Sequence, residues 1–168
     1  MSRMRIGTVC VLVFGVVVMG GHMVQAEGEP QTMPASHPQH VLVTPGDLTW
    51  QEGPPSLPQG AQFAVVEGDP KKEGLFTMRV KLPAHYRVPA HWHPADEHVT
   101  VISGTFHMGT GDVLDTAQGK ALPVGSFALM PAQMHHFAWT TDEAIIQLHG
   151  TGPWQINYIN PADDPRKQ

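Results

Sequence analysis

Proline and glycine punctuate this chain so often, 16 and 17 times in 168 residues, that long helices have little room and many short strands are favoured. The clearest strand is GLFTMRVKLP at 74–83. Phe76, Met78, Val80 and Leu82 fall on one face and Thr77, Arg79 and Lys81 on the other, the period of a half-buried strand. Similar short runs recur at AQFAVVE, HVTVIS, TFHM, SFALM, HHFAWT, AIIQLH and WQINYIN, bounded by GDPKKEG, GTGD, PVG, MPAQ, TTDE and GTGP. Even spacing of this kind, with no convincing helical period between the runs, predicts an all-β sandwich or small barrel. A hydrophobic content of 41% suits one such domain with a modest core.

The first residues read differently. Arg3 and Arg5 precede the apolar run IGTVCVLVFGVVVMG, and Val24-Gln25-Ala26 suits a signal peptidase, so residues 1–26 are expected to be an export signal and the mature chain periplasmic or secreted. The uninterrupted apolar run falls short of the roughly 20 residues of a spanning helix, so no stable membrane anchor is expected after cleavage. Cys10, the single cysteine, leaves with the signal, so the mature chain has no thiol nucleophile, disulfide or thiolate zinc site. Residues 27–40 read as a flexible lead-in and 41–168 as the folded domain. Removing Arg3 and Arg5 leaves 8 basic against 15 acidic side chains, a formal charge of −7. Without a basic cluster, nucleic acid is not an expected partner.

The crowded stretch is PAHWHPADEHVTVISG, residues 89–104. His91 and His93 are two apart on a strand, so both imidazoles project from one face about 6.5–7 Å apart, a gap that one metal ion can bridge. Glu97 on a straight continuation would be carried roughly 13 Å away. Pro94 favours a turn in HPADE, so that Glu97 starts the returning strand and faces back toward the pair, and Gly104 permits the next reversal.

In these residues the chain resembles the cupins. Their first motif runs Gly, five residues, His-x-His, three or four residues, Glu, six residues, Gly, and here His91, His93, Glu97 and Gly104 match without a gap. The second runs Gly, five residues, Pro-x-Gly, two residues, His, three residues, Asn, and Gly125, Pro131 and His136 match it. His85, Gln133 and Thr140 depart from the pattern, standing for the two glycines and the asparagine. The resemblance implies a cupin-type antiparallel β-barrel, a double-sheet jelly roll, with His91, His93, Glu97 and His136 as ligands of one metal ion. It also allows a homodimer. Alternation alone leaves His135 and His136 as rivals for the inward position, and the family spacing selects His136.

Three imidazoles and a carboxylate suit a divalent iron, manganese, nickel, copper or zinc ion, and an octahedral shell would keep two positions open. His85, His107 and His149 are candidate proton carriers or partners of the ligands, with an ordinary strand or rim position expected for most of them. His98 is expected to face away from Glu97. Trp92, Phe137, Trp139 and Trp154 read as packing aromatics. GTGD lacks the third glycine of a dinucleotide site, and neither a serine nucleophile elbow nor a zincin helix is present in the sequence. The leading expectation is a small exported metalloenzyme with oxygenase-like chemistry on a small molecule; the alternative is a noncatalytic module that binds metal or a small ligand. A third reading has the histidines merely packing. Arg87, if buried and facing the metal, would favour an anionic substrate; an outward Arg87 would remove that argument.

Overall fold

The structure, a computed structural model, describes residues 40–168. The expected export signal and all but the last residue of the lead-in lie outside the described residues. Among the described residues no helix is long and apolar enough to cross a membrane.

The all-β expectation holds. One sheet runs in the order β1 (Gln51–Glu52), β2 (Gln62–Glu67), β3 (Gly74–Leu82), β10 (Ala144–Gly152), β5 (Glu97–Ser103), β8 (Phe127–Met130). The other runs β11 (Asn157–Tyr158), β4 (Arg87–Trp92), β9 (His136–Thr140), β6 (Thr105–Thr110), β7 (Lys120–Pro123). Every pairing is antiparallel. Alternation along β3 buries Phe76, Met78, Val80 and Leu82, and the register sets Ile146 of β10 opposite Val80 and Leu148 opposite Met78 on the same face. Val99 and Val101 of β5 continue this wall, and Phe106, Met108 and Ala138 supply the facing one, so the core lies between the sheets.

Two short strands, β1 and β7, escape the sequence reading, because two and four residues carry too little periodicity to register. WQINYIN is a strand only at Asn157–Tyr158. The reversal assigned to Gly104 is real: its φ is +71°, and a Cβ there would collide with the Glu143 carbonyl. Phe137 and Trp139 point outward from β9 and build a small second core with Ala90, Leu114 and Ile159. On the other sheet's outer face, edge strand β8 presents Phe127 and Leu129, which are exposed.

Candidate metal centre

Local chain geometry brings the four expected residues together at one end of the core. Simple alternation from the buried Val88 would turn His91 outward. A bulge in β4 between Val88 and His91 changes the parity, so that Ala90 joins the outer cluster while His91 faces in, opposite His136 of β9. Pro89 has no N–H to give the ladder and sits in this bulge. His93 lies just beyond the end of β4, Pro94 and the residues after it make the turn, and Glu97 opens β5 as the turn argument requires. His91, His93, Glu97 and His136 are all buried, at 1–6% exposure. His135 goes the other way: it lies at the surface with its Nδ1 2.6 Å from Asp112.

The departures from the motif keep its geometry by other means. His85 and Gln133, standing for glycines, both adopt left-handed backbone, with φ of 58° and 65°. Thr140, standing for asparagine, donates its hydroxyl to the Pro83 carbonyl at 2.6 Å and accepts from the Tyr86 N–H at 3.0 Å, pinning the turn before β4. The Gln133 N–H donates to the His93 carbonyl at 2.8 Å and the Ala132 N–H to the Asp96 carboxylate at 2.8 Å. The two ligand-bearing turns are therefore bonded directly to each other.

Each imidazole is anchored through the same nitrogen. Nδ1 of His91 lies 2.7 Å from the Pro89 carbonyl, that of His93 2.6 Å from the Gln155 carbonyl, and that of His136 2.9 Å from the Met134 carbonyl. A carbonyl can only accept, so each Nδ1 carries the proton and donates, leaving Nε2 as the lone-pair side. The ligand atoms of the three rings converge within 4.8 Å of one another. The Glu97 carboxylate reaches into the group, 3.6 Å from Nε2 of His93 and 3.1 Å from Nε2 of His136. Neither of these buried Nε2 atoms has a directed hydrogen-bond partner. Leaving such an atom unpaired costs about 1–3 kcal/mol, a penalty that a bound cation would remove. This donor set and its orphaned atoms fit a divalent ion, and three buried histidines placed so can hold one.

Electrostatics follow from burial and crowding. Burial, with repulsion from the other two imidazoles, pushes His91 down to about 3. Burial also lowers His93, despite Glu97 beside it. For Glu97 burial opposes ionisation, but the surrounding imidazoles, His93 first, outweigh it and hold the carboxyl at about 2. Burial would lower His136 as well, yet the adjacent Glu97 carboxylate raises it. The cluster therefore sets an ionised Glu97 against His136, beside two rings whose charged form burial disfavours.

A cavity of about 190 Å³ opens above the cluster between the sheets, with apolar walls. Pro54, Ser56 and Leu57 of the proline-rich strap 53–60 line it, and two phenols tie the strap down: the buried Tyr86 donates to the Pro58 carbonyl and the half-buried Tyr158 to the Ser56 carbonyl at 2.7 Å. Trp154 lines the cavity and stacks on His93, ring centroids 3.9 Å apart at 20°, while its backbone N–H donates to the Pro70 carbonyl. Reading Trp154 as a packing residue captured only half its role.

The other histidines do not join the cluster. His98 faces away from Glu97 as expected and stacks on His149 on the outer face of its sheet, centroids 4.6 Å apart. His107 stacks on Trp139 on the opposite outer face. His85 is exposed in the turn before β4. None of His85, His107 and His149 lines the cavity, so the role of proton carrier considered for them has no geometric basis. Arg87 is exposed and also absent from the cavity, which removes the argument for an anionic substrate.

Comparison with known proteins agrees with the architecture. No curated protein matches the chain by sequence. Among solved structures, the polyketide cyclase RemF from Streptomyces resistomycificus superposes with a TM-score of 0.60 at 11% identity, over 75% of this chain and 89% of that one. A proposed acetylacetone dioxygenase from Methylibium petroleiphilum PM1 gives 0.60 at 18% identity, over 79% and 90%. An RmlC-like cupin from Shewanella frigidimarina gives 0.51 at 14%, over 65% and 87%. Similarity at this level shows a shared fold. Residues 38–155 match the model of the ChrR cupin-like domain, so this chain belongs to that family of cupins.

Proposed function

We propose that this protein is an exported, metal-dependent enzyme with oxygenase-like chemistry on a small molecule, its ion held by His91, His93, Glu97 and His136. The observation that carries this reading is the convergence of three Nε2 atoms whose Nδ1 atoms are all fixed on backbone carbonyls. RemF and the proposed acetylacetone dioxygenase, both named as enzymes, share the fold and lend it support without assigning a substrate. When bound, a divalent first-row ion supplies Lewis acidity and, if redox-active, a route for electrons to dioxygen.

The chain's own residues set the conditions for that chemistry. Glu97 offsets part of the ion's charge, and the carbonyl anchors keep the rings aimed. The apolar walls lower the dielectric around the cluster, which strengthens any polar contact made there. An entering ion would compete with Glu97 for Nε2 of His136, so loading would depend on pH. The second reading, a noncatalytic container for a metal or small ligand, is favoured by one observation: besides the cluster and Lys71 at the rim, no titratable side chain lines the cavity.

Elemental analysis of residues 27–168, purified without chelator or affinity-tag histidines, tests the site. About one equivalent of iron, manganese, nickel, copper or zinc, lost in His93→Ala and His136→Ala, is the expected result. No stoichiometric metal after anaerobic reconstitution with each ion would overturn it. Dioxygen uptake across a panel of small oxygenated compounds then separates enzyme from container, since a loaded protein that turns over none of them is the container.

A further inference from the structure

The cavity walls restrict what can occupy them. Phe63, Val80 and Leu148 face inward from one sheet, and Val88, Phe106 and Met108 from the other. Both nearby phenols are already engaged with strap carbonyls. Of the eight Lys and Arg residues of the described chain, seven are placed elsewhere and only Lys71 reaches the cavity. Arg79 donates to Gln147 at 3.3 Å, Lys81 lies over the Trp50 ring, Lys72 pairs with Asp69 and Arg166 with Asp164. Arg87, Lys120 and Lys167 are exposed and line no part of the cavity, and Lys71 is exposed at its mouth.

Between the sheets, past Ser56 and the exposed Lys71, a charged or second polar group would lose its water without gaining a partner, which is strongly unfavourable in an apolar environment. One oxygen at the floor is different, because the histidine cluster is there to meet it. We infer that the substrate of this site is an uncharged, mostly apolar small molecule with a single oxygen-bearing end, seated with that end on the cluster and its hydrocarbon between the two sheets. This deepens the function proposed above and rests on it in taking the cavity as the binding site. An apolar protein cavity of about 150 Å³ accepts benzene, so 190 Å³ sets the scale at roughly six to eight carbons.

The test uses two probes of equal carbon count that share a methyl ketone. 2-Hexanone ends in a methyl group, whereas 5-oxohexanoate ends in a carboxylate. Both are titrated calorimetrically into residues 27–168, metal-free and loaded with Zn(II), with tryptophan fluorescence recorded in the parent and in Trp154→Phe. The expected result is binding of 2-hexanone at least a hundredfold tighter than 5-oxohexanoate in both forms, with a fluorescence change that Trp154→Phe removes. Val80→Phe, which fills the cavity from β3, weakens the ketone at least tenfold; should that variant not fold, the parent protein's preference between the probes still decides. Equal or tighter binding of the oxo acid overturns the inference, as does failure of a fully loaded protein to bind 2-hexanone. Ketone binding by a chain that retains no metal leaves the inference standing and removes the metal reading instead.

Discussion

Two groups of histidines, one between the sheets and one on their outer faces, show that residue type alone does not make a metal site. His91, His93 and His136 each spend Nδ1 on a backbone carbonyl and aim Nε2 at a common point. His98 and His149 are also adjacent, but they lie face to face with their planes 13° apart, and the Nδ1 atoms of His98 and His107 have no hydrogen-bond partner. Stacked rings share a surface, while anchored rings share a focus. The carbonyls responsible come from a bulge, a turn and the segment after β10, none of them in the regular ladders.

The largest expected break in this contrast is in stabilisation by metal. At a free ion concentration a hundred times Kd, binding adds about 2.7 kcal/mol, which for a domain of this size raises Tm by roughly 10 °C. His136→Ala abolishes that rise and His149→Ala keeps it, as read by thermal melts with and without the ion. A rise surviving in His136→Ala would place the ion elsewhere.

Next comes the pH dependence of the metal-free protein. His91 sits at about 3 instead of 6.5, so below pH 6.5 the unfolded chain binds a proton that the folded chain refuses, and stability is lost as pH falls from about 6.5 to about 3. His93 adds to this loss and His136, which is raised, opposes it. Glu97, held at about 2 instead of 4.5, adds a further loss between those values. Each net proton contributes about 1.4 kcal/mol per pH unit. Urea unfolding across this range should show the slope, which His91→Gln flattens and His149→Ala leaves nearly intact. Unchanged stability from pH 6.5 to 4 would contradict the protonation states assigned to the cluster.

A smaller effect is expected from Trp154→Ala, which loosens the segment that carries the Gln155 carbonyl under His93. Metal affinity should fall about fivefold by competition with a chromophoric chelator, against tenfold or more for loss of the carboxylate in Glu97→Gln. An unchanged affinity would mean that stacking contributes nothing to holding His93. The smallest change is His98→Ala, whose outer-face ring should alter stability by no more than about 0.5 kcal/mol in chemical denaturation.

Much of this contrast was legible in the sequence. The alternation of GLFTMRVKLP gave β3 its inner face, and the turn at Pro94 predicted that Glu97 would return toward the histidine pair. The outward placement of His98 followed from the same alternation. The bulge at Pro89–Ala90 did not, because a parity change depends on what the partner strand pairs with, and β9 lies more than forty residues away. Left-handed backbone at His85 and Gln133 had one signal, their standing at glycine positions of the motifs, but neither side chain announces it. The stacking of Trp154 on His93 and the retreat of Arg87 from the cavity are tertiary facts with no local trace.

The bonds from Gln133 to the His93 carbonyl and from Ala132 to Asp96 have a consequence for the order of events in the life of this protein. They clamp two distant stretches of chain using main-chain and carboxylate partners alone, so the contacts that join the His93 turn to the turn before His136 need no ion. For a chain that binds an ion, folding and loading would then be separate steps, and exchange would not require dismantling the domain. Which element a loaded protein would hold then becomes a record of supply: the rank order of divalent affinities is much the same at any such site, and the surroundings that offer the ion would have the deciding vote.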